Sequence, residues 1–490
     1  MNLKPTFPLP LSSLVGLLAG LVLFLGTMAL PPPGDLPLAG WRTLGLALMM
    51  AVWWSTEPVP IGVTALLPLI VLPLLGIADI GAAAAPYANP LVFLFMGGFL
   101  LAAGVKRWGL HKRLALAAVR AIGTDPRRLV FGFMVASGFL SMWISNTAAV
   151  VLMLPVAVSI LSVVEEARGT GENVRRFALT LLLGLAYAAS IGGMGTLIGT
   201  PPNALLAGYL SEKHGIDLSF AVWSAVAVPL VLIFLPLAWL VLTRLVYPMT
   251  PDFVAAFRGG KLVEGLALDG AMTPAERRVG LVFVAAAALW ITRPLLNRVP
   301  GLEGLSDPGI GLLCAAALFL IPSGVATDRR FLMSWREAQE IPWQVLILFG
   351  GGLSLAAAMD ASGLAAWIGR GLAGLEGVPM PLFLLALTAT VVLLTELASN
   401  TATVAALLPI VATIAAGTGM DLVTISAAVA MAASCAFMLP VATPPNALVF
   451  ATGHVTVAAM MRAGIVMNLL AIGLVSLAAW LLGPLLPAIN

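Results

Sequence analysis

Ser145-Asn146-Thr147-Ala148, followed by Leu154-Pro155, returns later in the chain as Ser399-Asn400-Thr401-Ala402, followed by Leu408-Pro409. A second phrase repeats beside it: Gly199-Thr200-Pro201-Pro202-Asn203-Ala204-Leu205 is answered by Thr443-Pro444-Pro445-Asn446-Ala447-Leu448. Upstream, Phe95-Met96-Gly97-Gly98 is answered by Phe349-Gly350-Gly351-Gly352. The first and third pairs stand 254 residues apart and the Thr-Pro-Pro-Asn pair 243. The missing residues fall in the connection Glu165–Arg176, which is longer and more charged than its counterpart near Gly417–Asp421. The chain is a duplication.

The motifs sit in apolar surroundings. Of 490 residues, 60% are hydrophobic and 10% charged, where a soluble domain carries about 25% charged residues. Apolar runs near the ~20 residues that cross a bilayer recur throughout, beginning with Leu11–Leu30, Gly40–Trp54 and Val59–Ile77. The first is too long for a signal-peptide core, has only Lys4 before it and lacks a small-x-small cleavage pattern, so it reads as the first membrane helix. A net charge of +3 makes no case for nucleic acid. Cys314 and Cys435 lie far apart in apolar runs and suggest neither a disulfide nor a metal site.

Orientation follows from where the bases fall. With a cytoplasmic N-terminus and two hairpins that enter and leave on one side, the inner segments hold most of them. These are Lys4; Lys106, Arg107, Lys112, Arg113, Arg120, Arg127 and Arg128; Arg168, Arg175 and Arg176; Arg244, Arg258, Lys261, Arg277 and Arg278; Arg329, Arg330 and Arg336; and Arg462. The outer segments keep Arg42, Lys213, Arg293, Arg298 and Arg370. Two full crossings in place of each hairpin would preserve the parity, so charge alone does not establish re-entrance. Five crossings separate the hairpins, an odd number, which inverts the second half relative to the first.

The expected fold is therefore all-α and polytopic, with inverted repeats, two re-entrant hairpins, two broken membrane helices and about 11 spans. Residues 1–88 form N-terminal scaffold helices. The first repeat is 89–247, with its hairpin at 127–168 and broken helix at 175–212. A cytoplasmic linker at 248–278 leads to the second repeat, 279–456, with its hairpin at 380–417 and broken helix at 422–452. Residues 457–490 form the C-terminal helix.

Each motif places polar residues and a helix break where the flanking sequence suits lipid, and broken backbone is tolerated there only inside protein or beside water. Ser or Asn can cap the helix that follows each Ser-Asn-Thr, and Thr200 and Thr443 can cap helices that open with proline. Up to four helix N-termini then converge, each a partial positive charge suited to a carboxylate. The Ser, Thr and Asn oxygens, with carbonyls freed at the breaks, are hard ligands suited to Na⁺. No Lys or Arg lies close in sequence to any of the four motifs, so co-bound cations would help neutralise an anion. The bland alternative, packing polar residues and proline kinks, does not account for two motifs each duplicated at matching positions.

With Thr56-Glu57-Pro58-Val59-Pro60-Ile61-Gly62-Val63-Thr64-Ala65-Leu66-Leu67-Pro68, the paired motifs resemble the divalent-anion:sodium symporters, the INDY-type dicarboxylate and citrate transporters. The resemblance spans nearly the whole chain. It implies hairpin tips at the Ser-Asn-Thr motifs, and substrate contacts from Asn146, Thr147, Thr200, Pro201, Ser399, Asn400, Thr401, Thr443 and Pro444. It implies one sodium site from Ser141, Ser145, Asn146 and Gly199, and another from Thr395, Ala398, Asn400 and Ala442. It further implies a homodimer whose transport domain moves as an elevator against a fixed scaffold. Some members carry Gly-Pro-Asn where this chain has Thr-Pro-Pro-Asn, so Pro201 and Pro444 remove an N–H at those turns.

The expected function is sodium-coupled symport of a di- or tricarboxylate in a bacterial inner membrane, a setting that the short termini suit. The alternatives are sodium-independent exchange on the same fold, sulfate or phosphate symport, a passive anion channel, and an intramembrane enzyme, for which no nucleophile–base pair or metal cluster is visible. Glu396, in an apolar helix, reads as structural at a hydrated hairpin base, ahead of tuning the second cation site or accepting a proton. Glu57 and Asp360 read as interface or helix-end residues. His111, His214 and His454 fall in expected loops. The tryptophans, Trp41, Trp53, Trp54, Trp335 and Trp343 among them, read as an aromatic belt.

Overall fold

Prolines and short polar residues decide where the helices begin. Thr273 accepts from the backbone of Glu276, whose carboxylate reaches back, so Pro274–Leu296 opens with a capping box and a proline in its first turn. Asp125, Ser219, Asp421 and Thr456 cap four other helices, each side chain accepting from a backbone N–H of the first turn. The structure, a computed structural model, describes residues 11–110, 113, 117, 121–122, 125–255, 271–325, 331–371 and 378–488. Lys4, His111, Lys112, Arg120, Arg258, Lys261, Arg329 and Arg330 lie outside the described residues, as does the middle of the 248–278 linker.

The principal helices are α1 Leu11–Ala29, α2 Leu38–Thr56, α3 Ile61–Leu74 and α4 Pro90–Arg107. Then come α5 Pro126–Ser141, α6 Asn146–Arg168, α7 Glu172–Gly193, α8 Pro201–His214 and α9 Phe220–Leu240. After the linker follow α10 Pro274–Leu296, α11 Asp307–Leu320, α12 Trp343–Ala361, α13 Met380–Thr395 and α14 Asn400–Thr418. The last are α15 Leu422–Ala433, α16 Pro444–Phe450 and α17 Val457–Leu482. Eight helices among the described residues are long and apolar enough to cross a membrane, and shorter apolar helices accompany them. The protein is an all-helical polytopic membrane protein. The leading helices of the two hairpins, α5 and α13, have 16 residues each, about 24 Å of rise against a hydrocarbon core of about 30 Å. Each chain segment turns back at its Ser-Asn-Thr motif instead of continuing as one helix.

The duplication is visible as contact. Phe95 on α4 and Phe349 on α12, equivalent residues of the two repeats, meet with ring centroids 5.0 Å apart. A residue that touches its own counterpart lies near the pseudo-symmetry axis. The glycines beside them permit close approach: a Cβ at Gly97 would collide with the backbone of Gly311, and one at Gly351 with that of Ala65. The Phe-x-Gly-Gly pair thus seats α4 and α12 against their neighbours, Gly98 lying against Ile198 and Gly352 against Leu205 and Ala405.

Two readings of the sequence change. Trp54 is not at an interface but buried, its ring N–H donating to Ile61 O at 3.2 Å, whereas Trp335 and Trp343 are exposed, as a belt requires. His214 is the last residue of α8 and not in a loop. Glu57 is the C-cap of α2 and has φ +44, the left-handed conformation that ends a helix. Asp360 pairs with Lys213 at 3.3 Å, tying α12 to the end of α8.

Candidate functional site

At the first hairpin tip α5 stops at Ser141 and α6 starts at Asn146. The Ser141 hydroxyl donates to Asn146 Oδ1 at 2.7 Å, bridging the gap. The second tip repeats this at the matching positions: the Thr395 hydroxyl lies 2.7 Å from Asn400 Oδ1 and 2.8 Å from Ala433 O, sharing its proton between them. Ser145 caps α6 through Ala148 N–H, while Ser399 makes no such bond, so the expected capping holds in one half only. Thr443 caps α16 through Asn446 N–H at 3.3 Å, and Thr200 makes no side-chain cap.

Facing each tip, a helix comes apart and resumes. Between α7 and α8 the chain unwinds from Met194 to Thr200, and between α15 and α16 from Ser434 to Thr443. The asparagine of each Thr-Pro-Pro-Asn holds the freed carbonyls. Asn203 Nδ2 donates to Gly193 O, Met194 O and Thr196 O at 3.1, 3.3 and 2.8 Å. Asn446 Nδ2 donates to Ala436 O and Leu439 O, both at 3.0 Å. Buried carbonyls need such partners, and both asparagines are fully buried.

Oxygens crowd the first site. A Cβ at Gly193 would strike Asn146 Oδ1, and one at Gly199 would strike the carbonyls of Gly193 and Ser141. Only glycine leaves that pocket of oxygens open. The tips and unwound segments also meet one another. Cys435 Sγ lies 3.9 Å from Met194 Sδ, so the two unwound segments touch. Tyr187 of α7 donates its hydroxyl to Phe437 O, in the opposite unwound segment, at 2.7 Å. The arms cross over: α8 packs on α14 of the second hairpin, and α16 packs on α6 of the first.

The residues named from sequence therefore gather in one region. Asn146, Thr147, Ser399 and Asn400 are half-buried; Thr200, Thr401 and Thr443 are buried; Pro201 is half-buried and Pro444 exposed. Ser141, Gly199, Thr395 and Ala442 are buried, with Ser145 and Ala398 half-buried. The Ser145 hydroxyl accepts the capping bond from Ala148 N–H at 3.3 Å, which leaves its second lone pair free. Helix α16 has only seven residues, so three of the four expected N-termini belong to helices of substantial length. The ion pairs Arg107–Glu337 and Arg293–Asp307 lie on other elements, and Lys213–Asp360 sits at the C-terminal end of α8, away from Thr200.

A family model described as "Sodium:sulfate symporter transmembrane region" matches residues 11–488. The chain belongs to this family. Membership in a transporter family sets it among carriers and not among enzymes. Relatives named sodium-dependent dicarboxylate transporter SdcS, from Staphylococcus aureus strains USA300 and MRSA252, are 40% identical over 493 residues, covering 99% of this chain and 94% of theirs. The fold of this symporter-family chain is also shared with two solved transporters. One is Alcanivorax borkumensis YdaH, with a TM-score of 0.59, 18% identity, and coverage of 97% of this chain and 98% of that one. The other is Neisseria gonorrhoeae MtrF, with a TM-score of 0.55, 14% identity, and coverage of 97% and 95%.

Sequence reasoning did not single out several residues that hold the tips and the unwound segments in place. Asn203 and Asn446 stand in the duplicated phrase at the common offset, a signal sufficient to assign them. Thr196 donates to Met142 O and accepts from Gly199 N–H at 3.1 Å. Trp223 donates to Met194 O at 2.9 Å. Neither these two nor Tyr187 belongs to a repeated phrase, so nothing in the sequence marked them.

Proposed function

We propose that the protein is a sodium-coupled symporter of small dicarboxylates in a bacterial inner membrane, with its N-terminus in the cytoplasm. The observation that carries this reading is the pair of matched oxygen clusters at the hairpin tips, Ser141–Asn146 and Thr395–Asn400. Each is built of neutral hydroxyl, amide and carbonyl oxygens, the donor set that suits a hard monovalent cation. The first cation is assigned to Ser141, Asn146 and carbonyls by Gly199 and Ser145. The second is assigned to Thr395, Asn400 and carbonyls of Ala398 and Ala442.

The anion lies between the tips, against Asn146, Thr147, Thr200, Pro201, Ser399, Asn400, Thr401, Thr443 and Pro444. Two sodium ions beside it offset charge that no Lys or Arg close in sequence to the motifs neutralises, so anion and cation favour each other's binding. The kinship with relatives named as sodium-dependent dicarboxylate transporters supports the substrate class. The protein works as a homodimer, each transport unit of hairpins and broken helices moving past a scaffold of the remaining helices. The domain limits are those expected from sequence: scaffold 1–88, repeats 89–247 and 279–456, linker 248–278 and closing helix 457–490.

The test is uptake of labelled succinate into proteoliposomes under an inward sodium gradient, with potassium replacing sodium as control and unlabelled sulfate as competitor. Saturable, sodium-dependent accumulation, lost in Asn146→Ala and in Asn400→Ala, is the expected result. Uptake that ignores sodium but needs dicarboxylate inside would make the protein an exchanger. Competition by sulfate with little succinate flux would move the substrate to inorganic anions.

A further inference from the structure

One feature breaks the match between the two halves. Glu396, at the second tip, is 4% exposed and immediately follows Thr395. It is not at a hydrated hairpin base. Its Oε1 accepts from Phe437 N–H at 2.7 Å, Met438 N–H at 2.9 Å and Asn468 Nδ2 at 2.7 Å, and its Oε2 accepts from Leu439 N–H at 3.1 Å. Three successive backbone N–H groups of an unwound segment thus form a cradle for a carboxylate, and bonds to a charged acceptor are roughly twice as strong as neutral ones.

By the repeat offsets, Glu396 corresponds to Met142, and Leu439 to Thr196. Those two positions also touch in the first half, where the Thr196 hydroxyl donates to the Met142 carbonyl. The same tip-to-segment contact is therefore built twice, once with a neutral hydroxyl and once with a carboxylate. Residues 138–148 and 192–204 contain no ionisable side chain, so the first tip and its facing segment carry no counterpart to this charge. Helix α17 closes the cradle from behind: Asn468 reaches the carboxylate, and one turn earlier a Cβ at Gly464 would collide with Phe437 O and the Met438 backbone.

We propose that Glu396 is the positioning residue of the second cation site, making that site bind its cation more tightly than the first. Resting on the sodium-symport reading above, it acts in two ways. It fixes the segment that leads to Ala442 against the tip that bears Thr395 and Asn400. It also sets a full negative charge beside that site in a medium of low dielectric constant, where such a charge acts strongly.

Sodium activation of succinate uptake tests this in Glu396→Gln, which keeps the shape but turns a donor toward the N–H cradle. The half-saturating sodium concentration should rise by about fivefold or more, while the succinate KM at saturating sodium stays within about twofold of the parent. Glu396→Asp, which keeps the charge, should fall between the two. A purely structural role would lower the maximal rate and leave sodium half-saturation unchanged, and that result would overturn the proposal. So would unaltered sodium activation in every variant while the parent remains sodium-dependent. A parent that ignores sodium would overturn the symport reading as well.

Cys435 gives a readout independent of transport, since it is buried at the head of the clasped segment. In a Cys314→Ser background, a small maleimide should label Cys435 faster in Glu396→Gln than in the parent, and sodium should slow labelling only at correspondingly higher concentration. Equal labelling at every sodium concentration would count against the proposal. Should Glu396→Gln not assemble, Asn468→Ala removes one donor from the same carboxylate and should raise sodium half-saturation by about twofold. No change there would overturn the proposal.

Discussion

Glycine at 193 and 199 does at the first site what no other residue can. The oxygens of Asn146, Ser141 and Gly193 stand where a Cβ would go, so Gly199→Ala would fill the space that the first cation of the proposed mechanism needs. Gly199→Ala is expected to abolish sodium-driven uptake in the proteoliposome assay while leaving the protein monodisperse in detergent. The Asn146 and Asn400 side chains were legible as candidates because they recur at one offset. Ser145 was legible as a cap, because a Ser before an apolar helix marks its start. Glu396 was visible as a charge in an apolar helix, but three of its four partners are main-chain N–H groups 41 to 43 residues on, and backbone donors leave no mark in a sequence.

The broken helices depend on a few bonds each, and these can be removed singly. Tyr187→Phe takes away only the hydroxyl that donates to Phe437 O. A buried carbonyl left with a lost partner costs about 1–3 kcal/mol, so the variant should unfold at lower temperature, followed by intrinsic tryptophan fluorescence. Helix ends outside the spans carry the acid sensitivity. Burial alone would raise the pKa of Glu337, but hydrogen bonds from the Ser334 hydroxyl and N–H and the charge of Arg107 at 2.8 Å hold it below the usual carboxylate value. A depressed folded-state pKa gives stability that is present above about pH 4.3 and lost as pH falls through the folded value. Glu337→Gln should therefore flatten the loss of thermal stability on acidification, measured in detergent between neutral pH and the onset of acid unfolding. At this scale the helix breaks were legible from proline and Ser-Asn-Thr. The seven-residue length of α16 was not, because Ala447–Phe450 is as apolar as a longer helix would be.

For the molecule as a whole, the duplicated phrases gave away the repeat, and parity gave its inversion, because both are properties of the chain in order. How the halves grip each other was not readable, since Phe95 against Phe349 and α8 against α14 are contacts between residues hundreds of positions apart. That grip predicts the behaviour of a divided chain. Residues 1–260 and 261–490, co-expressed as separate polypeptides, are expected to co-purify and to restore sodium-dependent uptake, whereas neither alone should give a monodisperse species by size-exclusion chromatography.

The crossing of the arms has a historical meaning as well. With α8 seated on the second hairpin and α16 on the first, each repeat completes the other's fold and leaves its own unfinished. A forebear of half this length could cover those surfaces only by joining a sister copy threaded through the bilayer the opposite way round. Fusion then freed the two copies to diverge, and a glutamate could arise in one where a methionine stands in the other.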